Sequence, residues 1–234
     1  MNIIEFRDFY RSELEKTNKE SDYIFKILLK ELCNIDPLKI ALDPNFIVKP
    51  ENEMLLRSSL KNILKNYPLD YIINKKSIFC YDFYVDENVL IPRPETEILV
   101  DYVNNHFSSP IKVLDAGTGS GCIGISIALK NPSSNVYGSD HSVDALNVAL
   151  INKNNLNVNN FSLVHADWLS SFKKASFDLI VTNPPYIADQ DPHLENLQHE
   201  PNKALVAKDN GLGDIRIIIE QSTEVLKRGG LLIL

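Results

Sequence analysis

The stretch KVLDAGTGSGCIGISIAL, residues 112–129, constrains the fold more than any other part of the chain. It reads as a buried strand, a glycine-rich turn and the start of a helix. Gly117, Gly119 and Gly121 can take positive φ and let the backbone, with Thr118 and Ser120, approach a ligand with no Cβ in the way. The helix N-terminus behind them presents free N–H groups. From Gly119 the run GSGCIG satisfies the dinucleotide pattern G-x-G-x-x-G. About 20 residues beyond Gly121, Asp140 closes the strand VYGSD, where an acid can accept from ribose hydroxyls. The loop alone predicts an adenosine-bearing cofactor.

The rest of the chain repeats the alternation. Helix 94–106 precedes strand 111–115, followed by helix 121–130, strand 135–139, helix 142–154, strands 161–165 and 177–182, helix 212–227 and strand 230–234. Apolar strands between amphipathic helices predict an α/β fold with a mostly parallel sheet covered on both faces. The first 70 or so residues contain no glycine and carry helical stripes. These are Ile3, Phe6, Phe9/Tyr10 and Leu14; Ile24, Phe25, Leu28, Leu29 and Leu32 after a Ser21 cap; and Met54, Leu55, Leu60, Ile63 and Leu64 after Pro50. A small helical bundle over 1–72 is expected. Residues 78–90 switch to β-type residues broken by Asp86-Glu87-Asn88, which predicts a hairpin linker over 73–91 and an α/β domain over 92–234. The Asn-rich INKNNLNVNN, 151–160, reads as a polar helix end and loop. The sequence ends on LKRGGLLIL, an apolar strand with no polar tail, so a truncated sheet is expected.

Charge and cysteine narrow the function classes. A net charge of −7 and no Lys/Arg-rich stripe argue against a protein that tracks a nucleic-acid backbone. Cys33, Cys80 and Cys122 are far apart and fit neither a disulfide framework nor a zinc site, so no metal is expected. Charges at positions 5, 7, 8 and 11 interrupt any signal peptide, and no apolar run approaches the ~20 residues of a membrane span. A soluble, cytoplasmic protein is expected.

A second motif carries chemistry. The run FDLIV, 177–181, stops at Asn183-Pro184-Pro185-Tyr186. Two consecutive prolines offer no ladder N–H, so the strand ends in a stiff corner. The Asn183 side-chain carbonyl and the Pro184 backbone carbonyl can each accept one N–H of a planar nitrogen, with Tyr186 stacking on that group. Such a clamp aims a poorly nucleophilic lone pair at an electrophile. Asp115, the last strand residue before the glycines, suits a cofactor with an ammonium group and would repel a diphosphate. That favours S-adenosylmethionine over NAD. Asp167 can accept from an adenine amino group and Trp168 can cover the base, although an indole there equally fits the core.

Asp-x-Gly-x-Gly-x-Gly followed by Asn-Pro-Pro-Tyr resembles the amino-methyltransferases that use S-adenosylmethionine. Within that group, LIPRPETEILV (90–100), Asp167-Trp168, NPPYIADQDPHL (183–194) and HEPNKALVAKDNGL (199–212) are similar to the HemK/PrmC family. The resemblance implies a Rossmann-like methyltransferase domain after a helical substrate-recognition domain. It implies methyl transfer to the glutamine of the Gly-Gly-Gln motif in class I peptide-chain release factors, leaving S-adenosylhomocysteine. It places Gly117 to Gly121, Asp140, Trp168 and Asn183 on the cofactor and Asn183 to Tyr186 on the glutamine. Arg93 and Glu95 would line the cleft mouth, although PRPE equally fits a helix cap. Glu200-Pro201 matches a family loop beside the site. The resemblance implies glycines where Asn74 and Cys80 stand, and implies two further strands, roughly 40–50 residues, after Leu234. Nucleic-acid amino methylation, or a cofactor-binding module without turnover, fits the same corner.

Overall fold

The computed structural model describes residues 2–15, 20–43, 45–107 and 110–234. The chain divides into two compact units, Met1–Asn74 and Lys75–Leu234.

The first unit is helical: α1 (Ile3–Leu14), α2 (Ser21–Glu31), α3 (Pro37–Leu42), α4 (Pro50–Leu64) and α5 (Leu69–Ile72). Asn2 and Glu5 form a reciprocal capping box that starts α1. Ile3, Phe6, Tyr10 and Leu14 are all fully buried on one face of α1, as their spacing requires. The Tyr10 hydroxyl donates to the Leu56 carbonyl at 3.2 Å. Two expectations shift. Glu20 is the N-cap of α2, and Ser21 is its first residue. In α4 the buried face is Leu56, Ser59, Leu60 and Ile63, while Met54 is 73% exposed and Leu55 and Leu64 are also exposed. Adjacent apolar pairs satisfy two helical phases, and packing chose the one through Leu56.

The second unit begins with a two-stranded antiparallel hairpin, β1 (Lys76–Ile78) and β2 (Tyr81–Phe83). Its turn is Phe79-Cys80, with φ of 56° and 65°, not the Asp86-Glu87-Asn88 expected. Asp86 closes a separate turn, accepting from the Asn88 N–H at 3.0 Å. Asn74 and Cys80, the two positions at which the resemblance implies glycine, both lie at positive φ. Asn tolerates that conformation and Cys does so less readily. The Phe79 N–H donates to Glu97 Oε1 at 3.2 Å, which holds the strained turn.

The remaining strands, β3 (Lys112–Ala116), β4 (Asn135–Asp140), β5 (Phe161–His165), β6 (Phe177–Thr182) and β7 (Leu226–Ile233), form one parallel sheet in the order β5-β4-β3-β6-β7. The helices of this unit are α6 (Glu97–His106), α7 (Cys122–Lys130), α8 (Val143–Asn155) and α9 (Gly213–Val225). Alternate strand residues feed two cores. Val113, Leu179 and Val181 pack with Val100 and Val103 of α6 and with Ile123 and Ile127 of α7. Leu114 and Ile180 pack with Ile218 and Val225 of α9. The strand order reverses at β3, whose C-terminal end lies beside that of β6, and open α/β sheets bind ligands at such a switch point. Helix α9 ends at Val225, and β7 starts at once with an irregularity: Leu226 pairs with Phe177, but Leu231 pairs with Leu179. Among the described residues, no helix is long and apolar enough to cross a membrane.

The corrected face of α4 is open to a direct check. Leu56→Ala is expected to lower the unfolding free energy by about 2–5 kcal/mol, and Met54→Ala by less than about 0.5 kcal/mol. Urea denaturation of the chain reads both, and equal losses would return the buried face to the Met54 side.

Candidate functional site

Residues 113–116 are buried in β3, and the chain must then turn out of the sheet. The Ser139 carbonyl accepts both the Gly117 and Thr118 N–H groups at 2.8 Å, which bends the backbone away from β4. Gly121, at φ +82°, caps α7, and a Cβ there would meet Ile125 Cδ1 at 2.8 Å. The Asp115 carboxyl lies beneath this turn. Its Oδ2 accepts from the Thr118 hydroxyl at 2.6 Å and from the Gly124 N–H at 2.9 Å. Its Oδ1 is buried with no hydrogen-bond partner among the described residues. Burial pushes the Asp115 carboxyl up to about 6, against the lowering effect of those two donors and with a further raising effect from Asp140.

A cavity of about 520 Å³ opens above the turn. Gly117, Thr118, Gly119 and Ser120 line it, with Asp140, Asp167, Trp168, Asn183 and Pro185 from the other strand ends. The backbone therefore gathers nine of the expected site residues from four separate segments. Asp140 is held by two backbone donors, the Gly119 N–H on Oδ2 and the Ser142 N–H on Oδ1, each at 2.9 Å. Trp168 sits at φ +46°, and its indole N–H donates to Asp214 Oδ1 at 3.1 Å. Its ring covers Gly117 so closely that a Cβ on that glycine would come within 3.1 Å of it.

The corner follows β6. The Thr182 hydroxyl donates to the Ala116 carbonyl at 2.6 Å, which ties the end of β6 to the end of β3. Asn183 is half-buried at the cavity, and no hydrogen bond from another described residue reaches its side chain. Pro184 is buried, whereas Tyr186 is 62% exposed and outside the cavity lining. A Cβ at Gly211 would collide with the Tyr186 carbonyl, so glycine lets that loop back the corner. Beyond Tyr186, Ile187 bridges to Val206 in parallel, through the Ile187 N–H to the Leu205 carbonyl and the Ala207 N–H to the Ile187 carbonyl, both 3.0 Å. This brings Pro201, Asn202, Lys203 and Ala204 to the cavity wall.

Some expected positions fall elsewhere. Asp115, Gly121, Pro184, Tyr186, Arg93 and Glu95 are not cavity-lining residues. Asp115 faces the turn from beneath. Arg93 Nη2 donates to Glu200 Oε1 at 2.5 Å, and Glu200, 8% exposed, accepts the Ile91 N–H on its other oxygen at 3.1 Å. Glu95 is exposed, and from this stretch it is Pro92 and Thr96 that reach the cavity. Ser142 and Asp214 also line it, unforeseen from sequence, because an acid or serine near a helix start is ordinary capping chemistry.

The lining carries three carboxylates, Asp140, Asp167 and Asp214, against one lysine, Lys203. That balance suits a cationic ligand and disfavours a diphosphate. The model of the methyltransferase small domain family matches residues 72–234, which sets the class: an S-adenosylmethionine-dependent methyltransferase. The residues present fit that cofactor, with an adequate cavity, an indole wall, a backbone-held acid at Asp140 and an acidic lining. The chain is 36% identical over 193 residues to a release factor glutamine methyltransferase of Coxiella burnetii, covering 82% of this chain and 70% of that protein. It is 38% identical to one of Escherichia coli, covering 71% and 61%, and 36% identical to a bifunctional methyltransferase of Rickettsia prowazekii, covering 89% and 45%. The chain thus spans between about half and two-thirds of the length of several relatives. It belongs to the release factor glutamine methyltransferase family. The hMettl16 catalytic domain shares the fold, at TM-score 0.50 and 18% identity over 60% of this chain and 56% of that one.

Asp115 gives the site a measurable signature. Its folded-state pKa lies above the ordinary 3.8, so the folded protein binds the proton first as pH falls. Its ionisation therefore costs stability above about pH 6, and the cost disappears as pH drops toward about 4. Between about pH 7 and pH 4, wild type is expected to gain on the order of 2 kcal/mol relative to Asp115→Asn. Paired denaturation curves at the two pH values check this, and parallel curves would contradict it.

Proposed function

We propose that the chain transfers the methyl group of S-adenosylmethionine to the side-chain amide nitrogen of the glutamine in the Gly-Gly-Gln motif of class I peptide-chain release factors. The observation that carries the reading is Asn183. Its amide stands at the cavity edge unclaimed by another described residue, at the end of a strand tied to the glycine turn through Thr182 and Ala116. When bound, the cofactor supplies an electrophilic methyl on a sulfonium and departs as S-adenosylhomocysteine. The chain's own residues hold both partners. Asp140, Asp167, Trp168 and the Gly117–Ser120 turn would bind the cofactor. Asp115 would act beneath that turn, setting the position of Thr118 and α7.

The Asn183 side-chain oxygen and the Pro184 carbonyl would accept the two N–H bonds of the substrate amide, which fixes its plane and turns its lone pair toward the methyl. Proline rings on both sides of the Pro184 carbonyl keep it from relaxing away, so the dipoles are organised before the reaction. No base is needed before attack, because the amide proton becomes acidic only when nitrogen carries the methyl. Tyr186, exposed at the rim, would close over the planar group on substrate binding. Arg93 would act on the substrate side indirectly, by holding Glu200 and the wall that follows it. The helical unit would recognise the release factor, and the absence of paired cysteines suits the cytoplasm.

Mass analysis of a release factor incubated with the chain and cofactor tests this, with a single methyl on the Gly-Gly-Gln glutamine expected. Label found in nucleic acid alone would overturn the reading. Asn183→Ala is expected to lower kcat on the order of 10²-fold with a smaller change in cofactor affinity. Trp168 is the chain's one tryptophan, so its emission should change on cofactor addition and report that affinity.

A further inference from the structure

Asn152, in the Asn-rich stretch at the end of α8, is completely buried. Its Oδ1 accepts the Tyr84 N–H at 2.6 Å, and its Nδ2 donates to the Tyr84 carbonyl at 2.9 Å and to the Ser120 carbonyl at 2.8 Å. Every donor and one acceptor position of the amide is thus taken by backbone. Toward Tyr84 it acts as a strand edge would, pairing one residue's N–H and C=O together. Toward the cavity it fixes the last carbonyl of the glycine turn before Gly121. One turn earlier on the same helix, Ala149 lies against Gly121, where an added Cβ would come within 3.2 Å of its own. Helix α8 therefore seats the turn through both a shape contact and a hydrogen bond. Tyr84 begins the segment that runs on to Asn88, Val89 and Leu90, which line the same cavity as the turn.

We infer that Asn152 is a positioning residue for cofactor binding: one side-chain amide sets the glycine turn at Ser120 and the 84–90 wall in register with each other. Asn152 touches neither cofactor nor substrate and acts through Ser120 and Tyr84. The inference rests on the methyltransferase reading of the cavity and extends it to a residue outside that cavity. Asn160 offers a matched control. Its Nδ2 lies 3.1 Å from three backbone carbonyls, of Ala128, Asn131 and Ser134, which share its two N–H bonds, and none of them belongs to a cavity residue.

The test uses the whole chain and reads cofactor affinity by calorimetry and Trp168 emission, beside thermal stability and steady-state methylation. Asn152→Asp keeps an acceptor for the Tyr84 N–H and loses both donations. It is expected to raise the Kd and KM for S-adenosylmethionine about tenfold or more, with kcat at saturating cofactor within about twofold of wild type. Asn160→Asp is expected to lose stability while keeping wild-type affinity. Equal, near-wild-type affinities in the two variants would overturn the inference. Should Asn152→Asp fail to fold, hydrogen exchange on wild type decides. Cofactor must slow exchange of the Tyr84 amide, which lies outside the cavity, and an unchanged rate there overturns the proposal. Wild type that binds no cofactor in the same titration would remove the methyltransferase reading itself, and this inference with it.

Discussion

One carboxylate oxygen, Asp115 Oδ2, holds the site's geometry. It accepts from Thr118 on the near side of the glycine turn and from Gly124 in the first turn of α7, so strand, turn and helix share one anchor. Placing that anchor in the interior requires room. A Cβ on Gly124 would come within 3.0 Å of the carboxylate and 2.6 Å of the Phe161 ring, and one on Gly138 would reach 2.5 Å from Phe161 and 2.8 Å from the Thr118 hydroxyl. Neither glycine has positive φ. Their use is space, and a glycine inside α7 costs helix stability of about 1 kcal/mol that this arrangement must offset.

From that anchor the site grows outward by short bonds between strand ends. Ser139 turns the chain out of β3, Thr182 ties β6 to β3, and Asp140 catches the Gly119 N–H. The outer walls are fastened differently. Arg93 and Glu200 join residues over a hundred positions apart, with Glu200 almost wholly buried and also bound to the Ile91 N–H. A buried pair of this kind gives little net stability, yet losing one partner strands a charge, so its main effect is to fix which two loops meet. Leu90 and Pro92 from one loop and Pro201 to Ala204 from the other both contribute to the lining.

Much of this was legible in the sequence, for reasons that can be traced. Alternation of apolar strands and helices revealed the parallel sheet because both faces of each strand are buried, as Val113 and Leu114 illustrate. That Asn183 and Trp168 stand at the cavity was legible because both follow strand C-termini, where such sheets bind ligands. The misreadings have causes as well. The hairpin turn uses Phe79 and Cys80, residues that ordinarily avoid positive φ, whereas Asp86-Glu87-Asn88 has the composition of a turn and forms a smaller one. Asn152 and Asn160 looked like solvated polar residues, because composition cannot tell an exposed amide from one saturated by backbone. Asp214 carried no signal that separates a helix-start acid from a partner for an indole.

By itself the sequence determined how the chain leaves β3 and where β6 ends. Glycine at 117 to 121 permits the tight exit from β3, and Pro184-Pro185 forbids any continuation of β6. These outcomes follow from backbone sterics and hydrogen-bonding capacity within a few residues. Only the tertiary structure decided which polar groups face the cavity and which hold it from behind: Asp140 in front and Asp115 beneath, Pro92 in front and Arg93 turned to Glu200, Asn152 tying Ser120 to Tyr84. The physical reason is that a buried polar side chain takes its direction from the partners available to it, and those partners arrive from segments far away in sequence.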